Sequence, residues 1–175
     1  MSRTDPPAVH AGLGRVIAQY NAGLRDEAER LCGELLGADP DQPALLQMMA
    51  VLCRERGDAA RARQCISRSL ALRPGHVPSL MAAALVHQDL DELAEACAAL
   101  DQVLAVRPEH VSAAVNRGVV LLALGRRDDA LRSFARAYRR EPATFGRIAH
   151  ALSADRCGAL WLDPSALRRV LSDCA

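Results

Sequence analysis

The sequence has few aromatic residues and no lysine, although half of its residues are apolar. One tryptophan, two tyrosines and two phenylalanines make up 3% of the 175 residues, whereas alanine occurs 33 times and leucine 25 times. Strands favour β-branched and aromatic side chains, while alanine and leucine are among the strongest helix formers. We therefore expect an all-α fold.

Long apolar runs and an excess of one charge are also missing. No run approaches the ~20 apolar residues of a membrane span, and the first residues lack the charged and apolar regions of a secretory signal. The 22 basic and 21 acidic residues give a net charge of +1, so the chain has no global attraction to nucleic acid. We expect a cytoplasmic protein without a membrane span and without a nucleic-acid partner.

Motifs for metal binding and catalysis are absent as well. The cysteines form no C-x-x-C pair and have no histidine at metal-ligand spacing; they are Cys32, Cys53, Cys65, Cys97, Cys157 and Cys174. The sequence contains no P-loop, nucleophile elbow or H-E-x-x-H motif. We expect structural thiols, no metal, no cofactor and no enzymatic activity.

What the sequence does have is a 34-residue period, marked by Pro40, Pro74, Pro108 and Pro142. When this proline is numbered position 32, the units are 9–42, 43–76, 77–110 and 111–142. Position 20 is then always alanine, at Ala28, Ala62, Ala96 and Ala130. Position 15 is Gly23, Gly57, Asp91 and Gly125. Columns that recur at one spacing without an insertion indicate a repeat protein.

Each column has a physical reason. Glycine at position 15 adopts the left-handed conformation that ends a first helix, alanine at position 20 allows two helices to approach closely, and proline ends the second helix. Each unit is therefore predicted to be an antiparallel helix pair, and such pairs stack into a solenoid. The predicted helices are 9–21, 25–37, 43–55, 59–72, 77–89, 92–105, 111–123 and 127–140.

The residues outside the units do not follow the period. Residues 1–8 are expected to be a flexible N-terminus, and residues 143–175 to form C-terminal capping helices over 145–154 and 164–172, separated by a loop at 155–158. Asp163 precedes Pro164 as an N-cap precedes a proline at the first helical position. Trp161 is the expected anchor of this tail. Two alternatives to a cap remain open for this tail: it is a lid on a groove, or it is a docking element.

The pattern Gly-x-x-x-x-Ala followed by Pro, at 23/28/40, 57/62/74 and 125/130/142, resembles that of tetratricopeptide repeat (TPR) proteins. The third unit matches with Asp91 in place of glycine. The resemblance implies an α-α superhelix, or solenoid, of four repeats that binds protein partners and catalyses nothing. The aromatic residue common at position 4 is replaced here by Gly12, Leu46, Leu80 and Ala114.

The resemblance also implies that the first helix of each pair lines a concave groove through positions 5, 6, 9 and 12. The candidate partner-binding residues are then Leu13, Ile17, Tyr20, Gln47, Met48, Val51, Met81, Leu85, Gln88, Val115, Asn116, Val119 and Leu122. Their apolar centre suits a peptide or an amphipathic helix of another protein, although position 9 would also fit ordinary inter-helix core. The Lys, Arg and Asn clamp with which some TPR domains hold acidic C-termini is missing, because its places hold Leu13, Ile17, Met48, Pro78 and Ala82.

Charges are divided unevenly along the chain, with acidic residues in the first unit and arginines in the fourth. Arg132, Arg136 and Arg140 form a stripe on one helix face, which is either a solvated surface paired with Asp128 and Asp129 or a contact for an anion or a second copy. The sequence therefore favours a non-catalytic interaction module acting as an adaptor, assembly factor or chaperone. Two alternatives remain open: the recognition or dimerisation part of a larger enzyme such as a transferase, and a self-assembling scaffold.

Overall fold

The computed structural model describes residues 7–153 and 163–173, with side-chain environments from Ala11 onward. Ten α-helices account for most of these described residues. They are α1 (Pro7–Asn21), α2 (Arg25–Ala38), α3 (Pro43–Glu55), α4 (Ala59–Leu72), α5 (Val77–Asp89), α6 (Leu93–Val106), α7 (Val111–Ala123), α8 (Arg127–Arg140), α9 (Phe145–Ser153) and α10 (Pro164–Asp173). A 3-10 turn, Pro142–Thr144, precedes α9. The all-α prediction is confirmed.

All ten predicted helices are present, and their ends agree with the prediction to within two residues. Helix α1 begins at Pro7, so residues 7 and 8, which the sequence assigned to a flexible N-terminus, are helical. The 3-10 turn was not predicted. Residues 1–6, the expected loop at 155–158 and the expected anchor Trp161 lie outside the described residues.

The turns inside the repeats have the left-handed backbone that the position-15 column predicted. Gly23, Gly57 and Gly125 have φ values of +80°, +83° and +72°, and Asp91 takes the same region with φ +59°. Aspartate is one of the few residues with a side chain that tolerate this conformation. Three glycines and one aspartate therefore turn each first helix into its second helix.

Small and large side chains alternate in the core. The four position-20 alanines are completely buried, as expected where two helices pack closely. Position 24 supplies the larger partners, which are at most 1% exposed: Cys32, Ile66, Leu100 and Phe134. Position 8 is small wherever position 24 is large, with Gly118 in the same repeat as Phe134.

The chain divides into two compact units, Met1–Val86 and His87–Ala175. In unit 1, α1 packs on α2, α2 on α3 and α3 on α4. In unit 2, α6 packs on α7, α7 on α8 and α10 on α8. Each unit thus contains antiparallel helix pairs in chain order.

The last helix begins as its sequence predicted. The Ser165 backbone N–H donates to Asp163 Oδ1 at 2.8 Å, and Pro164 occupies the first helical position. Leu167 and Leu171 are buried, so α10 places its apolar face against its neighbours in unit 2. The Arg168 guanidinium lies 4.2 Å from the centre of the Phe145 ring, which fixes α10 to the start of α9.

Candidate functional site

Two position-9 side chains remain accessible although the side chains beside them are core. Ile17 on α1 is 42% exposed, whereas Val16 is completely buried. In unit 2, Val119 on α7 is 38% exposed, and Val120 beside it is buried. The packing of the repeats thus leaves part of both aliphatic side chains open to water. Position 9 is thus not ordinary inter-helix core at these two sites.

Most of the other candidate residues are half-buried. In unit 1 these are Leu13, Tyr20, Gln47, Val51, Met81 and Leu85, and in unit 2 Gln88 and Asn116. They keep part of their surface open while their remaining atoms pack within the chain. These eight side chains are therefore partly accessible, and the partner-binding surface to which the sequence assigned them stays a prediction.

Three candidates belong to the core instead. Met48 and Leu122 are each only 7% exposed, and Val115 is 2% exposed. A partner cannot reach these side chains without the helices separating, so they stabilise the repeats. The candidate surface accordingly narrows to the ten remaining residues.

Tyr20 is held within unit 1. Its hydroxyl donates to Glu55 Oε1 at the end of α3, and Arg25 pairs with the same carboxylate at 2.7 Å. The Arg25 guanidinium also lies 4.7 Å from the centre of the Tyr20 ring. The hydrogen bond to Glu55, followed by burial, raises the pKa of Tyr20. Tyr20 thus ties the end of α1 to the end of α3.

This tie also locates the aliphatic residues. Ile17 lies one turn before Tyr20 on α1, and Val51 lies one turn before Glu55 on α3. Residues three or four apart share a helix face. The faces of α1 and α3 that carry Ile17 and Val51 therefore adjoin, and together they form what we call the unit 1 stripe.

A polar chain that the sequence did not indicate lies at the start of α5. His76 Nδ1 is 2.8 Å from Ser79 Oγ, Ser79 Oγ is 2.9 Å from Ser69 Oγ, and the Ser69 hydroxyl donates to the Pro43 carbonyl at 2.8 Å. A serine beside a histidine is the arrangement of an activated nucleophile, but Ser79 and Ser69 are completely buried. This series of hydrogen bonds therefore supplies partners for buried hydroxyl groups. No periodic pattern in the sequence indicates it.

Among the described cysteines, Cys32 and Cys53 lie in environments that suppress the reactivity of their thiols. Burial, with smaller contributions from Cys65 and Cys53, raises the pKa of Cys32 to about 12. Burial also raises the pKa of Cys53 to about 11. A thiol is nucleophilic only as the thiolate. Among the described residues no group of three His, Cys, Asp or Glu side chains is placed to hold a metal ion.

Comparison with known proteins identifies the family. Residues 18–161 match the family of the cilia and flagella-associated protein 70 middle TPR-like domain. The Arabidopsis thaliana protein named Protein CTR9 homolog is 33% identical over 84 residues, which are 47% of this chain and 8% of that protein. The chain therefore spans a small part of this curated relative.

Solved structures show the same fold at low sequence identity. MamA 41-end from Desulfovibrio magneticus RS-1 superposes with a TM-score of 0.76 at 16% identity, covering 98% of this chain and 97% of that one. The thermophilic TPR protein TTC0263 of Thermus thermophilus superposes with a TM-score of 0.72 at 23% identity, covering 94% and 97%. None of the helices described is long and apolar enough to span a membrane. The chain belongs to the TPR-like family, whose fold generally serves as a protein-interaction module.

Proposed function

We propose that the chain is a non-catalytic interaction module that binds an apolar peptide or an amphipathic helix of a partner protein on the first helices of its repeats. The observation that carries the proposal is the exposure of Ile17 and Val119, each flanked by a buried position-8 or position-10 residue. An amphipathic helix presents apolar side chains at i, i+4 and i+7, which suits the adjoining faces of α1 and α3 that carry Ile17 and Val51 in unit 1.

The apolar candidate residues of unit 1 support a partner of this type. Ile17 and Val51 offer rigid branched surfaces, and the half-buried Met81 supplies an unbranched, adaptable one. Leu85 adds a fourth apolar side chain on α5. A peptide that covers such side chains gains about 25 cal/mol for each Å² of apolar surface removed from water, so affinity would come mainly from burial.

The proposal is tested with a displayed peptide library selected on the wild-type chain. We expect enrichment of sequences with apolar residues at helical spacing, and loss of binding in the double variant Ile17→Glu and Val119→Glu. Both side chains are exposed, so the variant should stay helical. The matched control is Leu72→Glu and Val106→Glu, because these side chains are 41% and 54% exposed on second helices.

Retention of the selected peptides by Ile17→Glu and Val119→Glu, or their loss in the control, would contradict the proposed surface. In a cell, such a module would act as an adaptor, an assembly factor or a chaperone in the cytoplasm. Light scattering over a range of concentrations separates this function from the self-assembling scaffold. A scaffold would grow in mass with concentration, whereas an adaptor would keep a constant mass until its peptide is added.

A further inference from the structure

Unit 2 contains a cavity of about 350 Å³ between the α6–α7 turn, the start of α7 and the last turns of α8. Arg136, Arg139 and Arg140 line it from α8, and Glu109 and His110 line it from the turn. Cavities of a few hundred Å³ are large enough to hold a ligand group. Three guanidinium groups and one carboxylate give this lining a net positive charge.

The contacts inside the cavity hold two of these arginines in place. The Arg136 guanidinium donates to the Pro108 carbonyl at 2.6 Å, which fixes its position at the turn. Arg140 Nη2 lies 2.7 Å from Glu109 Oε2. The Glu109 side chain is 70% exposed, so its ion pair with Arg140 lies at the surface. The cavity thus already binds one carboxylate of its own chain, and another anion can displace it easily.

A second cavity of the same volume, in unit 1, has a less positive lining. Arg56 pairs there with Asp26 and with Glu29, the latter at 3.2 Å, and Arg61 pairs with Glu29 at 3.2 Å. Arg30, which also lines that cavity, pairs with a glutamate one turn along its own helix. The lining of the unit 1 cavity thus has three arginines and two carboxylates, one more carboxylate than the unit 2 cavity has for the same number of arginines.

The basic lining is also not a requirement of the repeat. Arg136, Arg139 and Arg140 occupy positions 26, 29 and 30, where repeat 2 has Arg68, Ala71 and Leu72. At these positions repeat 2 has one arginine, Arg68, which is paired with Asp41 at 2.6 Å. Repeat 2 folds into the same helix pair with one arginine at these positions, so the two additional arginines of repeat 4 are not needed for folding.

We propose that this cavity, the basic cavity, binds an acidic peptide segment of a partner protein through a carboxylate cluster or a phosphorylated side chain. Guanidinium groups form bidentate pairs with both kinds of anion, and the positive end of α7 adds to the attraction. Nucleic acid fits less well, because His110 is the only aromatic ring among the described lining residues and bases need aromatic side chains to stack on. The site lies on α7 and α8 and is independent of the unit 1 stripe.

The experiment uses the full chain and short fluorescent peptides in a glycine-serine background. One peptide carries a run of glutamates, one carries phosphoserine and one carries lysines. Fluorescence anisotropy should show saturable binding of the first two, weakened by salt as expected for exposed charges. Tighter binding of the phosphoserine peptide would identify phosphate as the source of the anion, and tighter binding of the glutamate peptide would identify carboxylates.

Three variants separate the cavity from general electrostatic attraction. Arg139→Gln with Arg140→Gln should weaken binding about tenfold. Arg127→Gln with Arg132→Gln removes the same charge from the same helix outside the cavity, and should change binding less than about twofold. Glu109→Gln removes the competing carboxylate and should tighten binding, which a merely structural role of Glu109 does not predict.

Several results would overturn the proposal. These are no saturable binding of either anionic peptide, equal weakening by the two arginine pairs, or stronger competition by a mixed-sequence oligonucleotide than by the peptides. Ile17→Glu with Val119→Glu should bind the anionic peptides as the wild type does. Failure of the apolar surface and failure of the basic cavity are therefore seen separately.

Discussion

Replacing Gly118 by alanine tests whether the size of the position-8 residue is matched to its partner on the second helix. A Cβ atom at Gly118 would lie 2.3 Å from Cε1 and 2.5 Å from Cδ1 of Phe134. Phe134 is completely buried, so its ring has no solvent to move into. The new methyl group would lie about 1 Å inside the ~3.5 Å contact distance of two carbon atoms.

The expected loss follows from two opposing effects. Forcing an extra methyl group into a filled core costs about 1–3 kcal/mol, and the overlap at Gly118 puts the cost at the upper end. Alanine gains about 1 kcal/mol over glycine inside a helix. We therefore expect Gly118→Ala to lower the free energy of unfolding by about 2 kcal/mol, measured by urea unfolding followed by far-UV circular dichroism.

Two further variants make the test specific. Phe134→Ile in the Gly118→Ala background reproduces the pair Ala50 and Ile66 of repeat 2, both of which are buried. The double variant should be at least about 1 kcal/mol more stable than the sum of the single effects predicts. Gly14→Ala is the matched control, because nothing lies within 4 Å of a Cβ there. It should raise the free energy of unfolding by about 0.5–1 kcal/mol.

Equal effects of Gly118→Ala and Gly14→Ala would refute the reasoning, since only backbone propensity would then matter. Additive effects of Gly118→Ala and Phe134→Ile would refute it as well. In that case the methyl group would be accommodated by a shift of the whole of α7, and the ring would not be the group that excludes it.

Three further predictions concern the turn, a histidine and the thiols. Asp91→Ala should lower the free energy of unfolding by about 1 kcal/mol, whereas Asp91→Gly, which restores the residue of the other repeats, should change it by less than about 0.5 kcal/mol; equal effects would show that φ is relaxed. Burial, followed by the charge of Arg73, lowers the pKa of His76 below its usual 6.5, so the unfolded chain binds more protons below about pH 6.5 and stability falls as the pH drops through that window. His76→Gln should flatten this part of the pH profile in urea unfolding, and an unchanged profile would contradict the assignment. Cys32 and Cys53 should resist iodoacetamide at pH 8 in the native state and react in urea, as read by peptide mass spectrometry; rapid native labelling would disprove their burial.

The helices were predictable because their boundaries depend on single residues with strict backbone preferences. Gly57 has a φ of +83°, a conformation that most side chains disfavour, so its place in the sequence marks a turn whatever surrounds it. Proline at position 32 acts in the same way at the end of each second helix. The start of α1 at Pro7 was missed because it precedes residue 9, where the first unit of the 34-residue period begins.

Burial of the candidate surface was less predictable, because it depends on neighbouring helices. Val119 and Val115 lie four residues apart on α7 and belong to the same apolar pattern. The first is 38% exposed and the second 2%. A repeat column gives each position an average environment, and the size of side chains on the adjacent helix decides how far each one is covered.

The arginine stripe was recognised as a pattern, but its members have different partners. Arg132 pairs with Asp129 on its own helix, while Arg136, one turn further, donates to the Pro108 carbonyl. Arg139 does not belong to the i, i+4, i+8 series and yet lines the same cavity as Arg136 and Arg140. A helical period groups residues by the direction in which they point from the helix axis. The residues that line a cavity depend also on the position of the adjacent turn, which the period does not contain.

The net charge of +1 conceals an alternation of acidic and basic repeats, and ion pairs between neighbouring repeats account for it. Repeats 1 and 3 are acidic, with three and one arginines against six acidic residues in each. Repeats 2 and 4 are basic, with six and seven arginines against two and three acidic residues. In unit 1, Arg61 of repeat 2 pairs with Glu29 of repeat 1 at 3.2 Å, and in unit 2, Arg117 of repeat 4 pairs with Asp101 of repeat 3 at 2.5 Å. Exposed pairs of this kind stabilise by about 0–1 kcal/mol each. Their larger effect is on specificity, because a repeat stacked on the wrong neighbour would meet its own sign of charge.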